Sequence, residues 1–361
     1  CESFNSEQTI GRTLSSVTDR YSQLGLAAAF SAWSDAGLSR KGAGSDDYGV
    51  SWGTGVGGAL TYEKGYTDFF VHGKRRTSPL TVALAMNNAA ASNLAIALGL
   101  GGSCLSYSVA CASSAVSIGE AYRRIQLGND KLVVAGGSEA PLTLSIMLAW
   151  DAMKVVAKGD EESAFRACRP FQEGRTGLVL GEGAAAMVLE DWDHAVTRGA
   201  RIYCELAGYG QSCDRSHLVR PDARGQVKAI EAAMREADLS PAEVGYVNAH
   251  GTATQEGDPI EISALKIAFG DAAARLPVSS TKSMHGHLLG AAGAMEAVIT
   301  VLALAKQKIP PTAHLQQVSA DCEGVCHVMG TGLRDVSFRA AISNSFAFGG
   351  SNAVLAFRQS G

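Results

Sequence analysis

A layered α/β fold is the class this sequence predicts, on three observations. Short apolar runs alternate with helix-patterned segments along the whole chain. Glycine is abundant and proline scarce, 41 against 9, which favours tight turns and close packing over disorder. Two stretches also share one rhythm: a strand, a turn with a reactive side chain, then a long small-residue helix. That repetition is what an internal duplication leaves behind.

The elements follow in order. Cys104–Val109 reads as a buried strand and Ser114–Leu127 as a helix stopped by Gly128. Lys131–Ala135 reads as a strand ending at Gly136-Gly137, and Glu182–Leu189 and Tyr203–Tyr209 as two more. A helix is expected from about Gly225 to Ala237. Val244–Asn248 is a strand that delivers His250, and Pro259–Phe269 is helical. Leu276–Ser280 is a short strand leading to Lys282. Leu288–Lys306 is an Ala-rich buried helix, stopped by Pro310-Pro311, since proline cannot continue a helix. Ala340–Ser345 and Asn352–Phe357 read as a strand pair around the turn Ala347–Ser351.

Composition narrows the function. The 361 residues are 46% hydrophobic and 18% charged, enough for a substantial core. A net charge of -4 gives no general attraction to nucleic acid. Every 18-residue apolar run is broken by polar residues, so no membrane insertion is expected. The chain opens without a signal-peptide pattern. Eight scattered cysteines do not form a compact disulfide framework, which points to a reducing cytoplasm. Cys322 and Cys326 form a CxxxC without a matching second pair, so no metal site is expected there.

Three residues carry the chemistry. Cys111 stands between a strand and a helix start, where the helix dipole and open amide donors favour the thiolate. For a lone cysteine the alternative is a small buried residue without chemistry. His250 lies in Asn248-Ala249-His250-Gly251-Thr252-Ala253-Thr254, and His287 in Lys282-Ser283-Met284-His285-Gly286-His287. Turns after strands are where α/β folds place reactive groups. Two histidines in such turns beside a helix-start cysteine point to a Cys-His-His site. Metal binding is the competing reading, and no metal-ligand spacing supports it.

These motifs, with Asn344-Ser345-Phe346-Ala347-Phe348-Gly349-Gly350-Ser351-Asn352, resemble a β-ketoacyl-ACP synthase of the elongating type II class. The resemblance covers nearly the whole chain. It implies the thiolase fold: two related halves, 1–200 and 201–361, in a five-layered αβαβα core. It implies that Cys111 accepts the acyl chain and that His250 and His287 hold the malonyl thioester carbonyl. Lys282 matches the family's active-site lysine and Glu261 its glutamate partner, with Asp258 nearby. Thr252 and Thr254 match the threonines that bind the phosphopantetheine arm. Phe348, with Gly349 beside it, matches the gating turn on the substrate, and Val56 matches the end of the acyl pocket. The reaction implied is decarboxylative condensation of malonyl-ACP with the acyl chain, in fatty acid or polyketide elongation. It calls for no cofactor beyond the carrier's phosphopantetheine. The partners implied are acyl carrier protein and a second synthase-like chain, in a homodimer or heterodimer.

Three departures from the family accompany the match. The chain starts at Cys1, past the family's first strand, so about 30–50 further residues are expected ahead of it. Ala347 replaces a usual glycine beside the gate, and His285 a frequent threonine. Both are expected to bear on gating or substrate preference. Competing functions are a non-catalytic chain-length-factor-like partner, which lacks the nucleophile, and a Cys-dependent thioester hydrolase, which Lys282 argues against. Gly53-Thr54-Gly55-Val56-Gly57-Gly58 fits a dinucleotide fingerprint formally, but no clear helix follows it in the sequence pattern. Lys74-Arg75-Arg76 and Arg123-Arg124 are basic runs, ordinarily solvated surface; the resemblance implies that they lie near the acidic carrier and steer it.

Overall fold

A computed structural model describes residues 1–40 and 44–360. Two compact units emerge. One comprises Cys1–Ala149, Gly181–Arg201 and Leu288–Met295; the other comprises Trp150–Leu180, Ile202–His287 and Glu296–Gly361. The single cut expected at residue 200 is thus replaced by an exchange of segments. Residues 150–180 pack with the second unit and 288–295 with the first.

The first unit is built on a four-stranded sheet. Its strands are β1 (Tyr48–Gly53), β2 (Cys104–Tyr107), β3 (Leu132–Glu139) and β4 (Gly183–Glu190), in the order β2-β1-β3-β4. β1 runs parallel to β2 and β3, and β4 is antiparallel to β3. β3 is buried along its whole length, as strands covered on both faces are. It continues through Gly136 and Gly137, beyond the expected end, because β4 pairs with it as far as Glu139. The core joins Trp52, Val50, Leu132 and Val134 to Leu24, Leu26 and Trp33 of the helix Arg20–Asp35. The helix Ser113–Gln126 packs on β1 and β3. Gly53 is required there: a Cβ at that position would lie 2.3 Å from the Ser114 amide nitrogen. The helix Ala59–Phe70 does follow the glycine-rich loop, and β1 and β2 are parallel. The strand-helix-strand setting missing from the sequence pattern is therefore present.

The second unit has six strands: β5 (Glu205–Cys213), β6 (Val244–Asn248), β7 (Pro277–Ser279), β8 (Cys326–His327), β9 (Ala340–Phe346) and β10 (Ser351–Arg358). Their order is β5-β10-β9-β6-β7-β8. β10 is antiparallel to β5 and β9, while β6 is parallel to β9 and β7. The helix Ala223–Glu236 lays Val227, Ile230 and Met234 on this sheet, and the helix Gly257–Phe269 adds Ile262, Leu265 and Phe269.

The stretch Leu289–Lys306 is long and apolar enough by composition to cross a membrane, contrary to the sequence expectation, yet 61% of it is buried inside the protein. Glu296, within it, is bonded to Lys282. A core helix accounts for the pattern.

Candidate active site

In the first unit, Cys111 is buried and follows Ala110, whose φ of 44° lies in the left-handed region that alanine rarely adopts. The turn is stitched by one hydroxyl. Ser113 Oγ accepts from Val109 N at 2.8 Å and donates to Ala110 O at 2.7 Å. The helix Ser113–Gln126 then starts at Ala112 with no side-chain cap, which places Cys111 just ahead of it.

Val56 sits in a loop held by the buried carboxylate of Glu139. That group accepts from Thr54 Oγ1 at 3.0 Å, Gly55 N at 2.5 Å, Val56 N at 3.1 Å and Gly290 N at 2.9 Å. Burial raises its pKa against these four donors. Two of the loop amides that would cradle a phosphate already serve Glu139, which gives a firmer reason against a dinucleotide site than the absent helix did.

In the second unit, His250 and His287 face each other edge-on with ring centroids 5.5 Å apart. Burial, then the charge of Lys282, lowers both pKa values well below that of free histidine, so both rings are neutral at neutral pH. Lys282 is fully buried. Its ammonium donates to His250 O at 2.6 Å, lies 3.3 Å from His250 Nδ1, and pairs with Glu296. With Nδ1 accepting from Lys282, the His250 proton sits on Nε2.

Glu296, not Glu261, is therefore the partner of Lys282. Glu261 instead accepts from His250 N at 2.8 Å, Gly251 N at 2.7 Å and Asn344 Nδ2 at 3.1 Å, so it shapes the histidine turn. Asp258 does the same one step on, accepting from Thr252 N, Ala253 N and Phe171 N at 3.1, 3.0 and 2.8 Å. Burial lifts the Asp258 and Glu296 carboxyls to about 7. Sequence reading missed Glu296 and Glu139. Each is remote in the chain from what it serves, and the only signal was an acidic residue inside an otherwise apolar run.

The Thr252 and Thr254 hydroxyls lie 3.0 Å apart on the turn after His250. Phe348 is half-buried and stacks on Trp150, with centroids 5.7 Å apart. Gly349 N donates to Leu218 O at 2.6 Å. Ala347 is absent from the positive-φ residues, which here are Gly349 (88°) and Gly350 (76°), so its backbone does not call for glycine. His285 is used locally: Nδ1 donates to Gly286 O at 2.8 Å, and Nε2 lies 3.3 Å from Thr281 Oγ1. Arg75 and Arg76 are exposed, and Lys74 pairs with Asp68 at 2.8 Å. Arg124 is taken up by Asp130 and Ser103, at 2.6 and 3.0 Å, and so belongs to the scaffold.

Known proteins resemble this chain along its whole length. Residues 3–195 match the β-ketoacyl synthase N-terminal domain and residues 203–316 the C-terminal domain. The 3-oxoacyl-[acyl-carrier-protein] synthase 2 of Staphylococcus aureus (strain N315) is 39% identical over 360 residues, 99% of this chain and 86% of that protein. The Vibrio harveyi protein of the same name is 43% identical over 346 residues, 94% of this chain and 82% of its own. Among solved structures, the ishigamide ketosynthase/chain length factor superposes with a TM-score of 0.92 at 29% identity, covering 99% of this chain and 86% of that one. A type II polyketide synthase acyl-carrier protein in complex with its ketosynthase gives 0.87 at 30% identity, covering 95% and 85%. These likenesses bear out the thiolase fold expected from the motifs.

Proposed function

Because the chain belongs to the β-ketoacyl synthase family, we propose that it is an elongating condensing enzyme that joins malonyl-ACP to an acyl chain held on Cys111. The pair of buried neutral imidazoles, His250 and His287, carries this reading. The Cys111 thiolate attacks an acyl-carrier thioester, and the carrier thiol leaves. Malonyl-carrier then binds with its thioester carbonyl on the two ring N–H groups. The bond to the terminal carboxylate breaks, carbon dioxide departs, and the electron pair makes an enolate. Neutral imidazoles donate hydrogen bonds to that developing charge without surrendering a proton. The enolate carbon attacks the acyl-Cys111 carbonyl, the C–S bond breaks, and a 3-oxoacyl carrier two carbons longer leaves.

Lys282 fixes the His250 tautomer in this scheme, and Glu296 balances its charge. Thr252 and Thr254 hold the phosphopantetheine arm, Phe348 with Gly349 gates acyl entry, and Val56 bounds the acyl pocket. The scheme needs no metal and no cofactor beyond that arm. Acyl carrier protein is the macromolecular substrate, met by Arg75 and Arg76, and the enzyme works in the cytoplasm. A second synthase-like chain, identical or related, covers the helices Ala59–Phe70 and Leu144–Ala152. Neither helix buries a residue, and Tyr66, Phe70, Leu144 and Leu148 are 61–76% exposed. Glu63 joins the two helices by accepting from Leu144 N and Ser145 N at 3.0 and 2.7 Å.

Intact-mass analysis after incubation with acyl-ACP and malonyl-ACP tests the proposal. The expected result is an acyl adduct on Cys111 and a carrier-bound 3-oxoacyl product. Acylation of another cysteine, or no carrier-bound product, overturns it.

A further inference from the structure

The turn Ala347–Gly350 is fastened through its backbone. Ala347 N donates to Ser351 O at 2.8 Å, Gly350 N to Ala347 O at 3.0 Å, Gly349 N to Leu218 O at 2.6 Å, and Asp214 N to Gly350 O at 2.9 Å. The Phe348 side chain instead packs on one aromatic neighbour. The Trp150 indole lies 5.7 Å away with the ring planes 21° apart, an offset stack. Gly349 and Gly350 already sit at positive φ, where glycine alone rotates without a Cβ penalty, so the turn has a ready hinge beside Phe348. For the phenyl ring to swing on that hinge, the stack must open along with the hydrogen bonds that Gly349 and Gly350 make.

We propose that Trp150 is a latch: a positioning residue that holds the Phe348 turn in its closed state and thereby sets how fast an acyl chain reaches Cys111. The inference rests on Phe348 acting as the gate. An offset aromatic pair shifts an equilibrium by about 2- to 10-fold, and the latch therefore tunes acyl entry without sealing it. Trp150 lies in the last turn of the exposed helix Leu144–Ala152, so the latch is attached to the same helix on which the second synthase-like chain is proposed to bind. Binding there would reach the gate through one side chain.

Four variants are compared by rapid-mixing acylation of Cys111 and by decarboxylation of malonyl-ACP: Trp150→Ala, Trp150→Leu, Trp150→Phe and Phe348→Ala. The expected result is acylation about 2- to 10-fold faster in Trp150→Ala and Trp150→Leu, near-parent acylation in Trp150→Phe, and decarboxylation unchanged in all three Trp150 variants. Indole emission gives a second readout, since the other tryptophans are Trp33, Trp52 and Trp192. A transient on acyl-ACP binding should persist in Trp192→Phe and vanish in Trp150→Phe. Parent-rate acylation in both Trp150→Ala and Trp150→Leu overturns the latch, as does equal slowing of acylation and decarboxylation. Parent-rate acylation in Phe348→Ala overturns instead the gate reading beneath it.

Discussion

In the unit that holds Cys111, the reactive turn is five residues long, between Tyr107 and Ser113, and its stitch is the Ser113 hydroxyl. In the unit that holds His250, the turn between Asn248 and Gly257 is eight residues long, and its amides are gathered by the buried carboxylates of Glu261 and Asp258. The difference follows from the chemistry each turn must do. A carboxylate bound to the cysteine's turn would oppose formation of the thiolate. The histidine turn tolerates buried carboxyls, because Lys282 offsets Glu261, Arg175 lies 3.4 Å from Asp258, and Lys282 keeps the rings neutral. The first unit does use a buried carboxylate, Glu139, but on the loop around Val56 and on Gly290.

The largest effects should separate the two turns by half-reaction. Cys111→Ala should abolish acyl transfer, read as loss of the adduct by mass spectrometry. His250→Ala and His287→Ala should each slow malonyl decarboxylation by about 10²–10³ while leaving Cys111 acylation within a few-fold of the parent. Normal decarboxylation in both histidine variants would erase the division of labour.

The next test concerns pH. Both imidazoles titrate well below 6.5, with burial the first cause and Lys282 the second. The imidazoles should therefore add no limb to the decarboxylation profile where free histidine titrates, near pH 6.5, and should lower the rate only in more acid solution; a limb near pH 7 would belong to Glu296. Removing the charge together with its partner, in Lys282→Met/Glu296→Gln, should move the acid limb upward. An unmoved limb in the double variant would assign the neutral state to burial alone.

Much of this contrast was legible in the sequence, and the reason is local. Cys111 and His250 each follow a strand within four residues and precede a helix pattern, so spacing places them in turns, although the strand before Cys111 ends at Tyr107 and is partly exposed where a buried strand to Val109 was expected. The groups that fasten those turns are harder to read. Glu296 lies 14 residues beyond Lys282, in a stretch whose apolar character announces only burial. Glu139 reaches loop amides 84 residues upstream. Trp150 meets Phe348 through a segment that packs with the second unit although it precedes residue 200. The helix Ala59–Phe70 was missed because it buries nothing, so its apolar residues follow a surface and not the core.

A smaller effect should come from the carboxylates. Burial holds Asp258 at about 7, above its ordinary value near 3.9, so the folded protein keeps a proton that the unfolded chain releases. That contribution to stability is complete below about pH 4 and is lost as the pH rises through about 7. Asp258→Asn removes this dependence. It also sets an amide against the Phe171 N–H or the Thr252 and Ala253 N–H groups, at a cost of about 1–3 kcal/mol. Thermal melts should show the parent's advantage over the variant shrinking from pH 5 to about 7.5. A constant advantage would mean that Asp258 is ionised in the folded protein throughout. Glu139→Gln in the other unit should behave with the same sign.

The smallest effect sharpens the comparison at two alanines. Ala110 precedes Cys111 at φ 44°, while Ala347 precedes Phe348 and is absent from the positive-φ residues. Alanine in the left-handed region carries about 1–2 kcal/mol of strain that glycine avoids. Against this, glycine lowers stability elsewhere by about 0.5–1 kcal/mol, because it has more freedom to lose on folding. Ala110→Gly should therefore leave stability unchanged or slightly raised, and Ala347→Gly should lower it by up to about 1 kcal/mol. On the sequence alone, Ala347 is expected to bear on gating or substrate preference. Its φ lies outside the left-handed region, whereas those of Gly349 and Gly350, two and three residues on, lie within it. Acylation and decarboxylation should accordingly change together, and by less than twofold, in Ala347→Gly. A selective change in acylation, measured by stopped-flow against the decarboxylation rate, would return the hinge to residue 347 and remove Gly349 and Gly350 from that role.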